Sequence, residues 1–196
     1  MSFFDALPAP EPPAEPEYRP PPWAVPPENV LPRAVALDAV LARSDDGAAY
    51  IAGALAYPQG VVLDVVIVQR QRASAREQRY RPFFMGPGEP EGPRFGVGFA
   101  DGRKAVVGRP WGTPDIDRET HAVLSPIGGG GSGRRWDARL WLWPLPPAGP
   151  LTLAFAWPED GVDETTMEID AAPIVAAAAK ATELWPDDRP PGPPED

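Results

Sequence analysis

The chain has no cysteine and a single histidine, His121. Without cysteine there is no disulfide, no thiolate nucleophile and no cysteine-based metal site. With one imidazole, a histidine-based metal site would need carboxylate help. A Ser-His-Asp arrangement through His121 has no Gly-x-Ser-x-Gly elbow to carry it. Positive charge is scarce as well: 18 Lys and Arg face 28 Asp and Glu, for a net charge of −10. Nucleic acid is therefore not an expected partner, because phosphate neutralisation supplies most non-specific affinity. An anionic membrane surface is disfavoured on the same ground. Long apolar runs are missing too. Val61–Val68 is broken by Asp64 and is far shorter than a bilayer span. The opening residues, Met-Ser-Phe-Phe-Asp-Ala-Leu-Pro, lack the basic start and apolar core of a secretory leader, so a cytoplasmic location is expected.

Proline, by contrast, is abundant, with 30 residues, eleven of them among the first 32. Proline fixes φ near the polyproline II value and biases the preceding residue away from helix. Residues 1–32 are therefore expected to form an extended arm, with Phe3, Phe4, Leu7, Trp23 and Val25 able to pin it to a surface. Residues 186–196 form an acidic, proline-rich tail. The 153 residues between them, 33–185, suffice for one buried core.

That central stretch reads as short strands separated by turns. Val35, Leu37 and Leu41 alternate, and Ser44-Asp45-Asp46-Gly47 is a hairpin turn. Residues 48–57 follow, with Ile51, Leu55 and Tyr57 expected on one face. Pro58-Gln59-Gly60 turns into Val61–Val68, which is apolar on nearly both faces and predicts a central strand. Residues 71–93 read as a long loop. Phe95, Val97 and Phe99 alternate, and Asp101-Gly102 turns into Lys104–Val107. Residues 108–119 are a loop holding Trp111. A strand over His121–Ile127 meets Gly128–Gly133, expected to be a flexible hairpin connection that leads into a strand over Arg134–Trp143. Leu151, Leu153, Phe155 and Trp157 mark the next strand, and Thr165, Met167 and Ile169 the last. Asp170 is a candidate N-cap for a helix over about 171–182, rich in alanine. The expectation is an all-β, antiparallel, two-sheet immunoglobulin-like sandwich with one C-terminal helix and proline-rich terminal arms, with a closed barrel as the alternative.

Several segments together resemble a family of small, uncharacterised bacterial proteins of the high-GC Gram-positive type. They are Glu28-Asn29-Val30-Leu31-Pro32, Ser44-Asp45-Asp46, Ala56-Tyr57-Pro58, Leu140-Trp141-Leu142-Trp143-Pro144-Leu145-Pro146-Pro147, Leu151–Trp157 and Glu183-Leu184-Trp185-Pro186. The resemblance covers residues 28–186. That family has no established activity, so the resemblance implies one β unit and supplies no catalytic residue.

Two constellations carry the functional reading. In Arg135–Trp143 the even positions Trp136, Ala138, Leu140 and Leu142 form a core face. The odd positions put Arg139, Trp141 and Trp143 on the outer face, where two indoles need a cover. That cover is either a partner or the chain's own proline arm or helix. The second constellation is the arginine set Arg70, Arg72, Arg76, Arg79 and Arg81, the only concentrated positive charge. It is either a contact for phosphate, an acidic partner or RNA stacked on Arg and Tyr80, or a solvated loop paired with the chain's own acidic ends. Asp115, Asp117 and Glu119 have early calcium-loop spacing without the glycine or the later ligands. No enzyme activity, catalytic residue, cofactor or metal is expected. The reading is a non-catalytic interaction module that binds a protein partner through its arms, its outer Trp face and its Arg-rich loop. The alternative is a small-ligand or carbohydrate-binding sandwich using Trp111, Trp141 and Trp143. Self-association into a homo-oligomer stays open.

Overall fold

Alternation of apolar and polar residues, interrupted at a few defined positions, sets the architecture. The structure, a computed structural model, describes residues 20–70, 92–108 and 121–185. Twelve strands are present among these residues: β1 (Val30–Leu31), β2 (Arg33–Val35), β3 (Ala39–Arg43), β4 (Gly47–Tyr57), β5 (Gly60–Gln69), β6 (Arg94–Gly98), β7 (Lys104–Val106), β8 (Val123–Ser132), β9 (Arg135–Trp143), β10 (Pro150–Trp157), β11 (Val162–Asp170) and β12 (Thr182–Glu183). One α-helix, α1 (Ala172–Ala178), follows β11. The large sheet runs β2-β4-β5-β9-β8, with β3 also paired to β4; the smaller sheet runs β11-β10-β6-β7, and β1 pairs with β12. Every strand pairing is antiparallel. The described residues therefore form an all-β sandwich with one α-helix, as the alternation predicts. The finer immunoglobulin-like assignment stays an expectation.

The inner faces of the two sheets meet in one core. Val61, Leu63, Val65 and Ile67 of β5 and Trp136, Ala138, Leu140 and Leu142 of β9 are buried with Phe95, Leu151, Leu153 and Phe155 from the smaller sheet. Ile174 and Ala178 of α1 join the same core. Side chains also tie the sheets. The Thr165 hydroxyl donates to the Leu41 carbonyl (2.8 Å), and the Gln69 amide donates to Asp160 Oδ2 (2.7 Å). Among the described residues, no helix is long and apolar enough to cross a membrane.

Four details differ from the pattern read in the sequence. The alternation of Val35, Leu37 and Leu41 holds towards the core, but the strand is broken in two, and β2 and β3 line the same edge of β4. A bulge between Ile51 and Gly53 then swaps the faces of β4. Ile51, Ala54 and Ala56 face the main core, whereas Leu55 and Tyr57 lie on the opposite side. The expected common face for Ile51, Leu55 and Tyr57 is thereby overturned, since one extra residue reverses every side chain beyond it.

The third difference is the glycine run. Gly128–Gly131 is not a flexible connection; it is paired strand, and the turn is only Gly133-Arg134. Gly131 stands opposite Trp136, whose large side chain covers the bare backbone of its cross-strand neighbour. A Cβ on Gly131 would meet the Arg135 carbonyl oxygen and lie 2.6 Å from Trp136 Cα. Fourth, the helix stops at Ala178 rather than near 182. Thr182 and Glu183 gain strand hydrogen bonds with β1 instead, and the Arg33 guanidinium takes the Lys180 carbonyl at 2.7 Å and Thr182 Oγ1 at 3.1 Å. At the other helix end, Asp170 Oδ1 accepts from the Ala172 N–H at 2.9 Å, satisfying one otherwise unpaired donor.

The glycine strand yields a paired test. Gly131→Ala should cost about 1–3 kcal/mol through overpacking, which for a domain of this size is roughly 2–10 °C in Tm. Gly130, whose Cβ would meet nothing within 4 Å, should tolerate alanine with little change. Thermal unfolding of both variants checks this; equal effects would contradict the close packing of β8 on Trp136.

Candidate functional site

The outer face of the large sheet is divided into an apolar end and a polar end. Register places Leu55, Val62, Trp141 and Ser125 in one cross-strand row on β4, β5, β9 and β8. Tyr57, Val62 and Trp141 form a second buried cluster, separate from the main core, with Val30, Leu55, Ile127 and Trp143 packed around it. The Tyr57 ring meets the Trp141 indole edge-on at 5.5 Å and 90°. That geometry suits the quadrupoles of two aromatic rings.

Trp141 is the centre of this cluster, and none of it is exposed (0 %). From below it is admitted by Gly60. A Cβ there would collide with the Leu142 carbonyl oxygen and lie 2.6 Å from Trp141 Cη2. From above it is covered by the chain's own arm. The indole N–H donates to the Pro22 carbonyl at 2.9 Å, and Val30 adds an apolar contact. Pro22 is held for this by a turn in which the Ala24 N–H donates to the Pro21 carbonyl at 2.9 Å. Proline suits the second position of such a turn because its φ is already set. Of the two covers that the sequence allowed, the proline arm is the one in place. Trp141 therefore offers no open stacking face while the arm is docked.

Beyond Trp141 the same face turns polar. Arg139 Nε contacts Asp64 Oδ1 on the neighbouring strand at 3.2 Å. Arg135 grips Asp137 with two bonds (3.1 and 2.6 Å) and donates to the Tyr50 hydroxyl at 2.9 Å. The Asp137 contact, then that to Tyr50, hold the Arg135 guanidinium even more firmly protonated than usual. These pairs are half-exposed, so each adds little stability. They leave a solvated, mixed-charge strip beside the sealed apolar end.

Trp143 is half-buried at the rim of the cluster. Arg70 is exposed at the end of β5, where its N–H donates to the Asp46 carbonyl (2.7 Å) and its carbonyl accepts from Arg134 (3.1 Å). It borders a half-open cleft of about 390 Å³ that also touches Arg43, Asp45 and Val68. Arg72, Arg76, Arg79, Arg81 and Trp111 lie outside the described residues, as do Asp115, Asp117 and Glu119. Among the described residues, no group of three His, Asp or Glu side chains is placed to hold a metal ion. Sequence reasoning did not assign Tyr57, Val62 or Gly60 to this site. The bulge in β4 hid Tyr57, and Gly60 read only as a turn residue.

Burial pushes the Tyr57 phenol above the ordinary tyrosine value, with the nearby Arg139 cation pulling it partly back. The fold thus holds this proton more tightly than the unfolded chain does. The stability it contributes is complete below about pH 10 and is lost as pH rises through the folded value. Denaturant midpoints taken from about pH 9 to about pH 11 should fall more steeply for the native chain than for Tyr57→Phe. Arg139→Gln should move the Tyr57 ultraviolet titration higher still, because a cation that favours phenolate is gone. Identical pH slopes for the native chain and Tyr57→Phe would refute the buried phenol.

No protein-family model, curated protein or solved structure matches the chain.

Proposed function

We propose that this protein is a non-catalytic interaction module whose outer Trp face binds a proline-rich segment of a protein partner. One observation carries the reading: the N–H of the wholly buried Trp141 indole, at the centre of an aromatic cluster, donates to the carbonyl of Pro22 in the chain's own arm. An aromatic wall with one aimed donor is the chemistry by which proline-rich segments are commonly recognised. The arm is then a built-in competitor. A partner segment must displace residues 20–27, and it gains by also touching Arg139, Arg135 and Tyr50 on the polar strip. Acidic groups on the partner would add contacts to Arg70 and to the arginines that follow it in the sequence. A carbohydrate platform at Trp141 is the weaker reading, because the indole face is taken up by Tyr57, the Gly60 backbone and the arm.

A peptide with the sequence of residues 17–27 tests this when titrated into the full chain. A tethered competitor acts at an effective concentration in the millimolar range, so the native chain should bind the peptide weakly. Replacing Pro21 and Pro22 by glycine in the full chain should tighten apparent binding by roughly 10–100-fold, since the cradle is then free for a larger fraction of the time. Calorimetry or Trp141 indole N–H chemical shifts report both values. Absence of binding in both proteins, or equal affinities, would sink the proposal.

A further inference from the structure

We infer that the Trp141 cradle has a second intramolecular occupant, the Pro193-Pro194-Glu195-Asp196 segment of the same chain, which alternates with the arm. This rests on the reading of Trp141 as a proline-binding site. The docked element is a four-residue turn, Pro21-Pro22-Trp23-Ala24, closed by the fourth residue's N–H and presenting the second residue's carbonyl to the indole. Pro193-Pro194-Glu195-Asp196 has the same two prolines in the same places and an N–H at its fourth position. Pro190-Pro191-Gly192-Pro193 does not qualify, because its fourth residue is a proline without an N–H.

Position favours this segment as well. The Leu184 N–H donates to the Asn29 carbonyl at 2.7 Å, and β12 pairs with β1. The chain after Leu184 thus leaves from beside the point where the arm reaches the sheet. Asn29 is seven residues from Pro22, and Leu184 is ten residues from Pro194. At roughly 3.1 Å per residue, the second span covers the first with length to spare. The opposite chain polarity is no obstacle, since the first and fourth Cα atoms of a turn lie within about 7 Å. A segment arriving through the first residue reaches the same spot as one leaving through the fourth. Both occupants are tethered, so they compete at similar effective concentrations, an advantage that no untethered copy has.

The cradle also contains a group that the described part of the arm leaves unanswered. Ser125 stands opposite Trp141 on β8 and is 4 % exposed; its hydroxyl has no hydrogen-bond partner among the described residues. Glu195 and Asp196 would bring carboxylates, which are acceptors, where the arm brings Trp23 and Ala24. The arm keeps the advantage of the half-buried Trp23. It is therefore the majority occupant, and the 193–196 segment takes over when the arm is weakened or drawn away by a partner.

Because the chain has no cysteine, a nitroxide on G192C marks this segment alone in the full-length protein. Its broadening of the Trp141 indole N–H resonance is the readout. The broadening should be weak in the otherwise native chain and about fivefold or more stronger when Pro21, Pro22 and Trp23 are replaced by glycine. It should disappear when P193G and P194G are added to that arm variant. An indole resonance untouched by the label in the arm variant, or broadening indifferent to P193G and P194G, would overturn the inference. So would broadening that appears only in a mixture of isotope-labelled and spin-labelled molecules, which would assign the occupant to a second copy. If the 17–27 peptide binds while the label has no effect, the cradle reading stands and only this inference falls. If the peptide also fails to bind, the cradle reading falls with it.

Discussion

A tryptophan on the outer face of a sheet must be covered, and here a single hydrogen bond determines by what. The Trp141 indole points its one donor at the Pro22 carbonyl, and the rest of its surface is packed between Tyr57, Val62 and the Gly60 backbone. Removing the arm would expose a large aromatic area and exchange the indole hydrogen bond for one to water, a loss of about 0.5–1.5 kcal/mol for the polar part alone. The arm is accordingly part of the fold at rest.

The two faces of the large sheet follow different rules. The inner face is closed by the smaller sheet and by α1, and its strands alternate except where bulges interrupt β3, β4 and β8. The outer face is apolar at one end and charged at the other, with the division falling between Trp141 and Arg139. The apolar end needs a cover from the chain, whereas the charged end is already stable in water. A segment bound at Trp141 can therefore run onto Arg139, Arg135 and Tyr50 without burying an unpaired charge. The account of the molecule as an interaction module depends on this adjacency.

Much of this arrangement was legible in the residues themselves. The succession of short strands along the chain, the central position of Val61–Val68 and the core face of β9 follow from periodicity and local chemistry, whereas the order of the strands within the sheets does not. The helix cap falls on Ala171, one residue past the expected Asp170, which instead accepts from the Ala172 N–H. Tyr57 was misplaced because a bulge at Ala52 is invisible to a period-of-two reading. The glycine strand reads as a connection in the sequence because its pairing is supplied by β9 and its cover by Trp136, both long-range effects. The outer tryptophans were recognisable as needing a cover. That Pro22 supplies it depends on a hydrogen bond spanning 119 residues, which no local pattern encodes.

The central claim is that the arm seals Trp141 through Pro22. Hydrogen exchange of the Trp141 indole N–H in the full chain addresses it most directly. The account predicts strong protection, lost on replacing Pro21, Pro22, Pro193 and Pro194 by glycine while the backbone amides of β5 and β9 stay protected. Free exchange of that indole in the native chain, or protection that the four glycines leave unchanged, would contradict it.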